Sequence, residues 1–313
     1  MREPWFWRSE TLAARSIRMS LAPAAFLYQA GYKTRLALTK PARASVPVIC
    51  IANATLGGTG KTPFAMLVAE LLKVEGVTPV FLTRGHGGAE KGPLLVDPDK
   101  HDGCDVGDEA LLLARKAKTI VSRDRPAGAA LAVQHGADAI IMDDGFQNPT
   151  LHKDFSILLI GAGDEKGALF PAGPFRERLD EARRRAQMMV AMGPEKNGAD
   201  FRAWLEPVSP APERVIAFAG IGKPEKFFKT LEEAGYELAQ RIGFPDHHVY
   251  TQAEERFLAR EARREKARLI CTEKDAVKLS ADFRAEVMTL AVRMRADDTP
   301  SLKRRLMAGI NKA

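Results

Sequence analysis

The chain has 313 residues, 45% of them hydrophobic, which suits about two globular domains with real cores and argues against a disordered or low-complexity protein. Forty-seven basic against 40 acidic residues give a net charge of +7, which favours an anionic partner: a phosphorylated substrate, a membrane surface or nucleic acid. The three cysteines, Cys50, Cys104 and Cys271, are odd in number and far apart, which argues against a disulfide framework or a zinc site and for a reducing compartment.

Residues 1–40 carry Arg2, Arg8, Arg15, Arg18, Lys33, Arg35 and Lys40 against Glu3 and Glu10, interleaved with Trp5, Phe6, Trp7, Leu21, Phe26, Leu27 and Tyr28. The apolar stretch 19–30 is broken by Pro23 and is shorter than the ~20 residues a spanning helix needs. A signal peptide would need a continuous apolar core and a cleavage site, and neither is convincing. Aromatic rings beside cations suit a peripheral segment lying on an anionic membrane surface; the alternative is a helix packed on its own domain.

From there apolar runs alternate with helical patterns: a strand over 46–52 and a helix over 63–73, then 79–83 and 108–117, 119–122 and 126–135, followed by strands at 139–142, 156–160 and 188–192. Such alternation predicts a mostly parallel sheet flanked by helices, which binds ligands beyond its strand C-termini. A Pro-rich linker at 207–212 separates this core, 41–212, from a smaller α/β lobe, 213–313, with elements at 215–219, 225–234, 253–265, 268–272 and 288–292.

Two motifs carry chemistry. Thr55, Leu56, Gly57, Gly58, Thr59, Gly60, Lys61 and Thr62 follow the first strand and open a helix. In that context a glycine-rich turn presents backbone N–H groups and the positive helix end to polyphosphate, Lys61 reaches the β/γ-phosphates, and the Thr62 hydroxyl sits on Mg²⁺. Thr55 occupies a position where the P-loop pattern has glycine, so it must hold a conformation a β-branched residue tolerates. The strand at 139–142 then delivers Asp143 and Asp144 to the same rim, a Walker-B-like ending suited to Mg²⁺ bridging ATP phosphates. Arg84 and Arg125 follow strand-like runs on that rim and are candidates for substrate phosphate. The run Arg183–Arg185 reads as a solvated helix face. Together these predict an α/β fold of P-loop NTPase type, with ATP and Mg²⁺ bound.

The chain resembles the tetraacyldisaccharide 4′-kinases along almost its whole length. The resemblance rests on Asn53 and the 57–63 loop, Thr83-Arg84-Gly85, Gly107-Asp108-Glu109, Asp143-Asp144-Gly145-Phe146-Gln147 and Pro171-Ala172-Gly173-Pro174-Phe175-Arg176-Glu177. In the second block it rests on Gly220-Ile221-Gly222-Lys223-Pro224, Phe244-Pro245-Asp246-His247-His248 and Thr272-Glu273-Lys274-Asp275-Ala276. It departs at His86, where the family has Tyr after Arg-Gly, and at Asn148, where the family has His.

The resemblance implies transfer of the ATP γ-phosphoryl group to the 4′-hydroxyl of an acylated glucosamine disaccharide 1-phosphate, giving lipid IVA at the cytoplasmic face of the inner membrane. It implies an Asp108–His247 pair as the base, Glu177 on the metal side, and Arg176, Gln147 and His86 toward the lipid substrate. A carboxylate beside the γ-phosphate can take the hydroxyl proton, and an imidazole can orient or tune it. Only one of the adjacent His247 and His248 can face the cleft, and His247 is preferred. A P-loop enzyme of a soluble metabolite would share the loop but have no use for Trp5, Phe6 and Trp7. A nucleotide-dependent switch would suit the charge, yet no nucleic-acid-binding signature stands out.

Overall fold

The computed structural model describes all residues except 1–3, 57–58, 162–163, 165–166, 197, 209–210, 223, 247 and 312–313. A 3₁₀ turn at Trp5–Trp7 leads to α1 (Leu12–Leu38), whose start is fixed by the Thr11 side chain accepting the Ala14 N–H. Pro23, which interrupts the apolar stretch 19–30, lies inside α1 without ending it. A proline in a helix forfeits the bond to the carbonyl four residues back. Here Pro23 and that residue, Met19, are both exposed, so the loss falls on the solvent side.

The core starts with β1 (Val48–Asn53), α2 (Lys61–Val74), β2 (Pro79–Thr83), β3 (Leu94–Leu95), α3 (Gly103–Val106), α4 (Asp108–Ala114), β4 (Thr119–Val121) and α5 (Arg125–Gln134). It continues with β5 (Ala139–Asp143), β6 (Phe155–Gly161), α6 (Leu179–Arg185), β7 (Met188–Met192) and β8 (Phe201–Val208). The second block comprises β9 (Arg214–Ala219), α7 (Pro224–Glu233), β10 (Glu237–Gly243), α8 (Gln252–Glu265), β11 (Arg268–Thr272), α9 (Glu273–Ala276), α10 (Ala281–Glu286), β12 (Met288–Ala296) and α11 (Thr299–Ile310).

The strands form one sheet in the order β10-β9-β11-β12-β8-β7-β6-β1-β5-β2-β4-β3. Every pairing is parallel except β12–β8 and β3–β4. β1, β2 and β5 are buried at every position, as parallel strands covered by helices on both faces must be. The mostly parallel, helix-flanked sheet expected from the sequence is the observed architecture.

β12 is the joint between the two lobes. Its first residues run parallel to β11, and from Ala291 onward it runs antiparallel to β8. α11 then packs on the first core, where Leu302, Leu306 and Ile310 meet the cluster of Ile49, Ile51, Phe64, Val68 and Phe201. The sequence-based division at 213 therefore crosses a continuous sheet, and the last helix lies with the first lobe.

Candidate active site

The parallel register of β1 and β5 puts Ile51 beside Asp143, so both strands reach the same rim. β1 ends at Asn53 and the phosphate loop follows; β5 ends at Asp143 and the chain turns at Asp144, whose φ of 53° is left-handed. Gly60 caps α2 at φ 80°, a left-handed conformation that favours glycine. Gly57 and Gly58 lie outside the described residues. Thr55 is buried; among the described non-glycine residues only Asp144 and Lys266 have positive φ, so the departure from glycine carries no backbone strain. Its hydroxyl donates to Asp164 Oδ2 at 3.0 Å, and the Leu56 N–H donates to the Pro174 carbonyl at 2.7 Å.

Lys61 and Thr62 open α2 and reach the carboxylates. Lys61 Nζ donates to Asn53 Oδ1 at 3.0 Å and lies 3.8 Å from Asp144 Oδ1; the Thr62 hydroxyl donates to Asp143 Oδ2 at 3.0 Å. Thr59 Oγ1 and Asp143 Oδ1 are buried, with no hydrogen-bond partner among the described residues. Burial, and next the Glu109 carboxylate, push the pKa of Asp143 up to about 7. Burial opposes charge on Asp144 as well, but Lys61 and Arg176 outweigh it and hold that carboxyl below the usual range. Two neighbouring acids thus differ in proton affinity although Lys61 acts on both: Arg176 adds a second cation and a hydrogen bond at Asp144, while burial and Glu109 dominate at Asp143.

A hydrogen-bonded layer supports this rim. Arg176 Nη1 donates to both Asp144 oxygens, at 2.9 and 3.0 Å, and to Gln147 Oε1 at 3.2 Å. Gln147 Nε2 donates to Glu177 Oε1 at 3.0 Å. Glu177, expected as a metal ligand, is buried with Oε2 on Arg185 and Oε1 on Gln147. Both oxygens are thus engaged within the layer. The structure corrects the solvated reading of Arg183–Arg185 at Arg185, which stacks 4.1 Å over Phe146 and donates to Tyr32 at 3.0 Å; Arg183 and Arg184 are exposed.

The N-terminal segment is docked on the same layer. Gln29 Nε2, from the buried seam of α1, donates to the Arg176 carbonyl at 2.6 Å; Trp7 Nε1 donates to Pro171 O at 3.1 Å; Arg8 pairs with Asp164 at 3.1 Å. Packing on its own domain and a free outer face coexist in this helix, because its inner and outer stripes differ in sequence.

Beyond the rim stand Arg84, His86, Arg125 and Asp108, the residues singled out from the sequence for substrate and base. Arg84 and His86 are exposed just beyond β2. Arg125, expected to meet substrate phosphate, is buried instead, donates to the Ser122 carbonyl at 3.0 Å and has its pKa lowered to about 10 by burial. Asp108 is the first residue of α4, after Gly107 at φ 87°, where a Cβ would meet the His86 carbonyl oxygen at 2.4 Å. Its Oδ2 lies 3.8 Å from the buried Lys278 Nζ. A cavity of 360 Å³, lined by His86, Cys104, Asp108, Tyr250, Lys278 and Ser280 among others, opens beside it between the lobes.

His247 lies outside the described residues. His248 stacks on Phe244 at 4.8 Å and meets Glu254 at 3.0 Å, so its ring is engaged within the second lobe. Residues the sequence did not single out for a role are Asn53, which holds Lys61, and Glu109, Lys274 and Lys278, which join the lobes: Lys274 Nζ donates to Glu109 Oε1 at 2.9 Å. Glu109 and Lys274 lie in quoted motifs. Lys278 had no signal, since a lone lysine after a short helix reads as surface.

A family model described as tetraacyldisaccharide-1-P 4′-kinase matches residues 17–311. Among curated proteins, the tetraacyldisaccharide 4′-kinase of Parvibaculum lavamentivorans is 47% identical, aligned over 100% of this chain and 99% of its own. That of Paramagnetospirillum magneticum is 45% identical over 96% of each. A crystal structure of LpxK from Aquifex aeolicus in complex with ATP has a TM-score of 0.79 at 30% identity, covering 94% of this chain and 99% of that one. A phosphate-loop sheet with this site, matched at such identity and coverage, places the chain in the tetraacyldisaccharide 4′-kinase family.

Proposed function

We propose that the protein transfers the γ-phosphoryl group of ATP to the 4′-hydroxyl of an acylated glucosamine disaccharide 1-phosphate, the lipid A precursor step, at the cytoplasmic face of the inner membrane. The observation that carries this is the juxtaposition of Lys61, Thr62 and the unsatisfied Asp143 Oδ1 on one rim. Family membership supports the kinase reading over a soluble-metabolite synthase or a switch ATPase.

The donor set fits Mg²⁺. Asp143 offers a buried carboxylate oxygen with no other partner, next to the Thr62 hydroxyl and with Asp144 adjacent. No group of three or more His, Cys, Asp or Glu capable of holding a metal occurs among the described residues. One or two carboxylates completed by water and nucleotide phosphate is how Mg²⁺ is held in kinases. When bound, it neutralises charge on the β- and γ-oxygens.

The chain's own residues do the rest. The α2 N-terminus and Lys61 attract the triphosphate; Arg176 fixes Asp144 and Gln147 so that the rim does not shift as charge moves to the leaving group. Asp108 Oδ2 accepts the hydroxyl proton as the oxygen attacks, with His247 as its partner from the second lobe. Arg84 and His86, exposed beyond β2, face the substrate side.

Delivery of an acylated substrate is served by α1. Its inner stripe is Ala14, Ala25 and Gln29, buried, while Leu12, Met19, Phe26, Leu27 and Leu38 are each at least 70% exposed. Residues 12, 16, 19, 23, 26, 30 and 34 share that outer face at helical spacing and include no charge. No helix among the described residues is long and apolar enough to cross a membrane; such a face lies in the headgroup boundary instead.

The test is direct. Purified protein, [γ-³²P]ATP, Mg²⁺ and the disaccharide 1-phosphate lipid in detergent micelles are expected to yield labelled lipid, and Asp108→Ala is expected to lower turnover by about 100-fold or more at unchanged ATP affinity. No label on lipid would overturn the reading.

A further inference from the structure

The motif Thr272-Glu273-Lys274-Asp275-Ala276 and Lys278 just after it are left without a role by the proposed reaction. α9 and the residue turn after it place Lys274 and Lys278 one helical turn apart, on the second lobe's face toward α4. Each meets one of the two acids that open α4: Lys274 Nζ lies 2.9 Å from Glu109 Oε1, and Lys278 Nζ lies 3.8 Å from Asp108 Oδ2. Two lysines spaced i,i+4 thus dock on two adjacent acids across the lobe boundary.

Lys278 is held as a fixed charge. Its side chain is 4% exposed, and Nζ sits 3.0 Å from Asp275 Oδ1 and 3.4 Å from the Gly220 carbonyl oxygen. Asp275 is wholly buried and accepts from the Gly220 N–H and the Tyr250 hydroxyl at 3.0 Å each, and from the Thr272 hydroxyl at 2.6 Å. A carboxylate with that many donors is fixed in place, and so is the ammonium it holds. The 3.8 Å approach to Asp108 is ion-pair range but longer than a hydrogen bond. The ammonium therefore attracts the Asp108 carboxylate by charge, without a hydrogen bond to it.

We propose that Lys278 is the positioning residue for Asp108, holding its carboxylate aimed at the rim, with Asp275 as its anchor and Lys274–Glu109 as a parallel ion pair across the same boundary. This rests on the reading of Asp108 as the base. A site that receives a triphosphate repels a carboxylate beside it, and a fixed cation delivered by the other lobe holds that carboxylate in place against the repulsion. The same contact explains why a lysine occurs in so dry a place.

The experiment compares kcat, KM for lipid and calorimetric ATP affinity in Lys278→Met, Lys278→Gln, Lys278→Arg, Asp108→Asn and the Asp108→Asn/Lys278→Met double variant, using the full chain. Lys278→Gln retains amide donors for Asp275, so it decides the matter if Lys278→Met does not fold. The expected result is a fall of about 30-fold in kcat for the uncharged variants with ATP affinity within about twofold, recovery of most of kcat in Lys278→Arg, and no further loss in the double variant relative to Asp108→Asn. Normal kcat in Lys278→Gln, or an undiminished extra loss in the double variant, would overturn the proposal while leaving the base assignment intact. Near-normal turnover in Asp108→Asn would instead remove the base assignment, and this proposal with it.

Discussion

Asp143 shows how one residue's surroundings set its chemistry. Its folded pKa, pushed up to about 7 by burial and then by Glu109, exceeds the unfolded value of 3.8. Below 3.8 both states are protonated; between 3.8 and about 7 the folded protein keeps a proton that the unfolded chain has released. Stability of the nucleotide-free protein therefore falls as pH rises through that window, by at most about 4 kcal/mol, and stays low above it. Asp143→Asn is expected to flatten this dependence and to melt higher than the parent at pH 8 while losing turnover. The cation needs the carboxylate, so Mg·ATP affinity is expected to be about tenfold weaker at pH 6 than at pH 8. Calorimetry at the two pH values and denaturation curves from pH 4 to 8 check both statements, and curves that coincide for parent and variant would count against the assignment.

At the scale of an element, α1 joins two tasks in one helix. Its inner seam is tied to the site through Gln29 and Tyr32, so removing residues 1–40 would strip the packing off Arg176 and Arg185 as well as the outer face. Point changes on the outer stripe separate the two. Met19→Asp/Phe26→Asp, both at exposed positions, is expected to leave thermal stability within about 0.5 kcal/mol of the parent. It is also expected to lower co-sedimentation with anionic phospholipid vesicles by at least tenfold, because apolar area and favourable charge both contribute to interfacial binding. Unaltered vesicle binding would show that the outer face does not meet the membrane.

Across the whole molecule, β12 and α11 bind the lobes into one sheet and one core. Leu306 is fully buried against the first-lobe cluster although it lies only seven residues from the C-terminus. Leu306→Ala is expected to cost about 2–5 kcal/mol and to weaken ATP binding, since the same cluster supports α2 behind the phosphate loop. Chemical denaturation together with nucleotide titration measures this. A loss confined to the second lobe would contradict the packing described.

The strands β1, β2, β5, β7 and β11 and the phosphate loop were legible because each is a local pattern: a continuous apolar run, or glycines before a lysine at a helix start. Family resemblance added Asp108, Arg176 and Gln147 to the site. What the sequence could not disclose depended on neighbours far away in the chain. β8 and β10 are half-exposed strands of mixed composition, so alternation hides them, and α11 was invisible as part of the first core because most of its partners there, such as Ile49, Phe64 and Phe201, lie about 100 residues or more earlier. Glu177 and Arg125 read as ligands for charge by type and position, but their burial, Glu177 between Arg185 and Gln147 and Arg125 on the Ser122 carbonyl, was set by residues distant in the chain or by the fold around them. The sequence by itself determined the sheet, the phosphate-binding turn and the carboxylate rim, since those follow from periodicity and local backbone chemistry. Only the tertiary structure decided which charges on the rim are paired, which stay open, and which lysine of the second lobe reaches Asp108, because pairing and desolvation are set by distance in space and not along the chain.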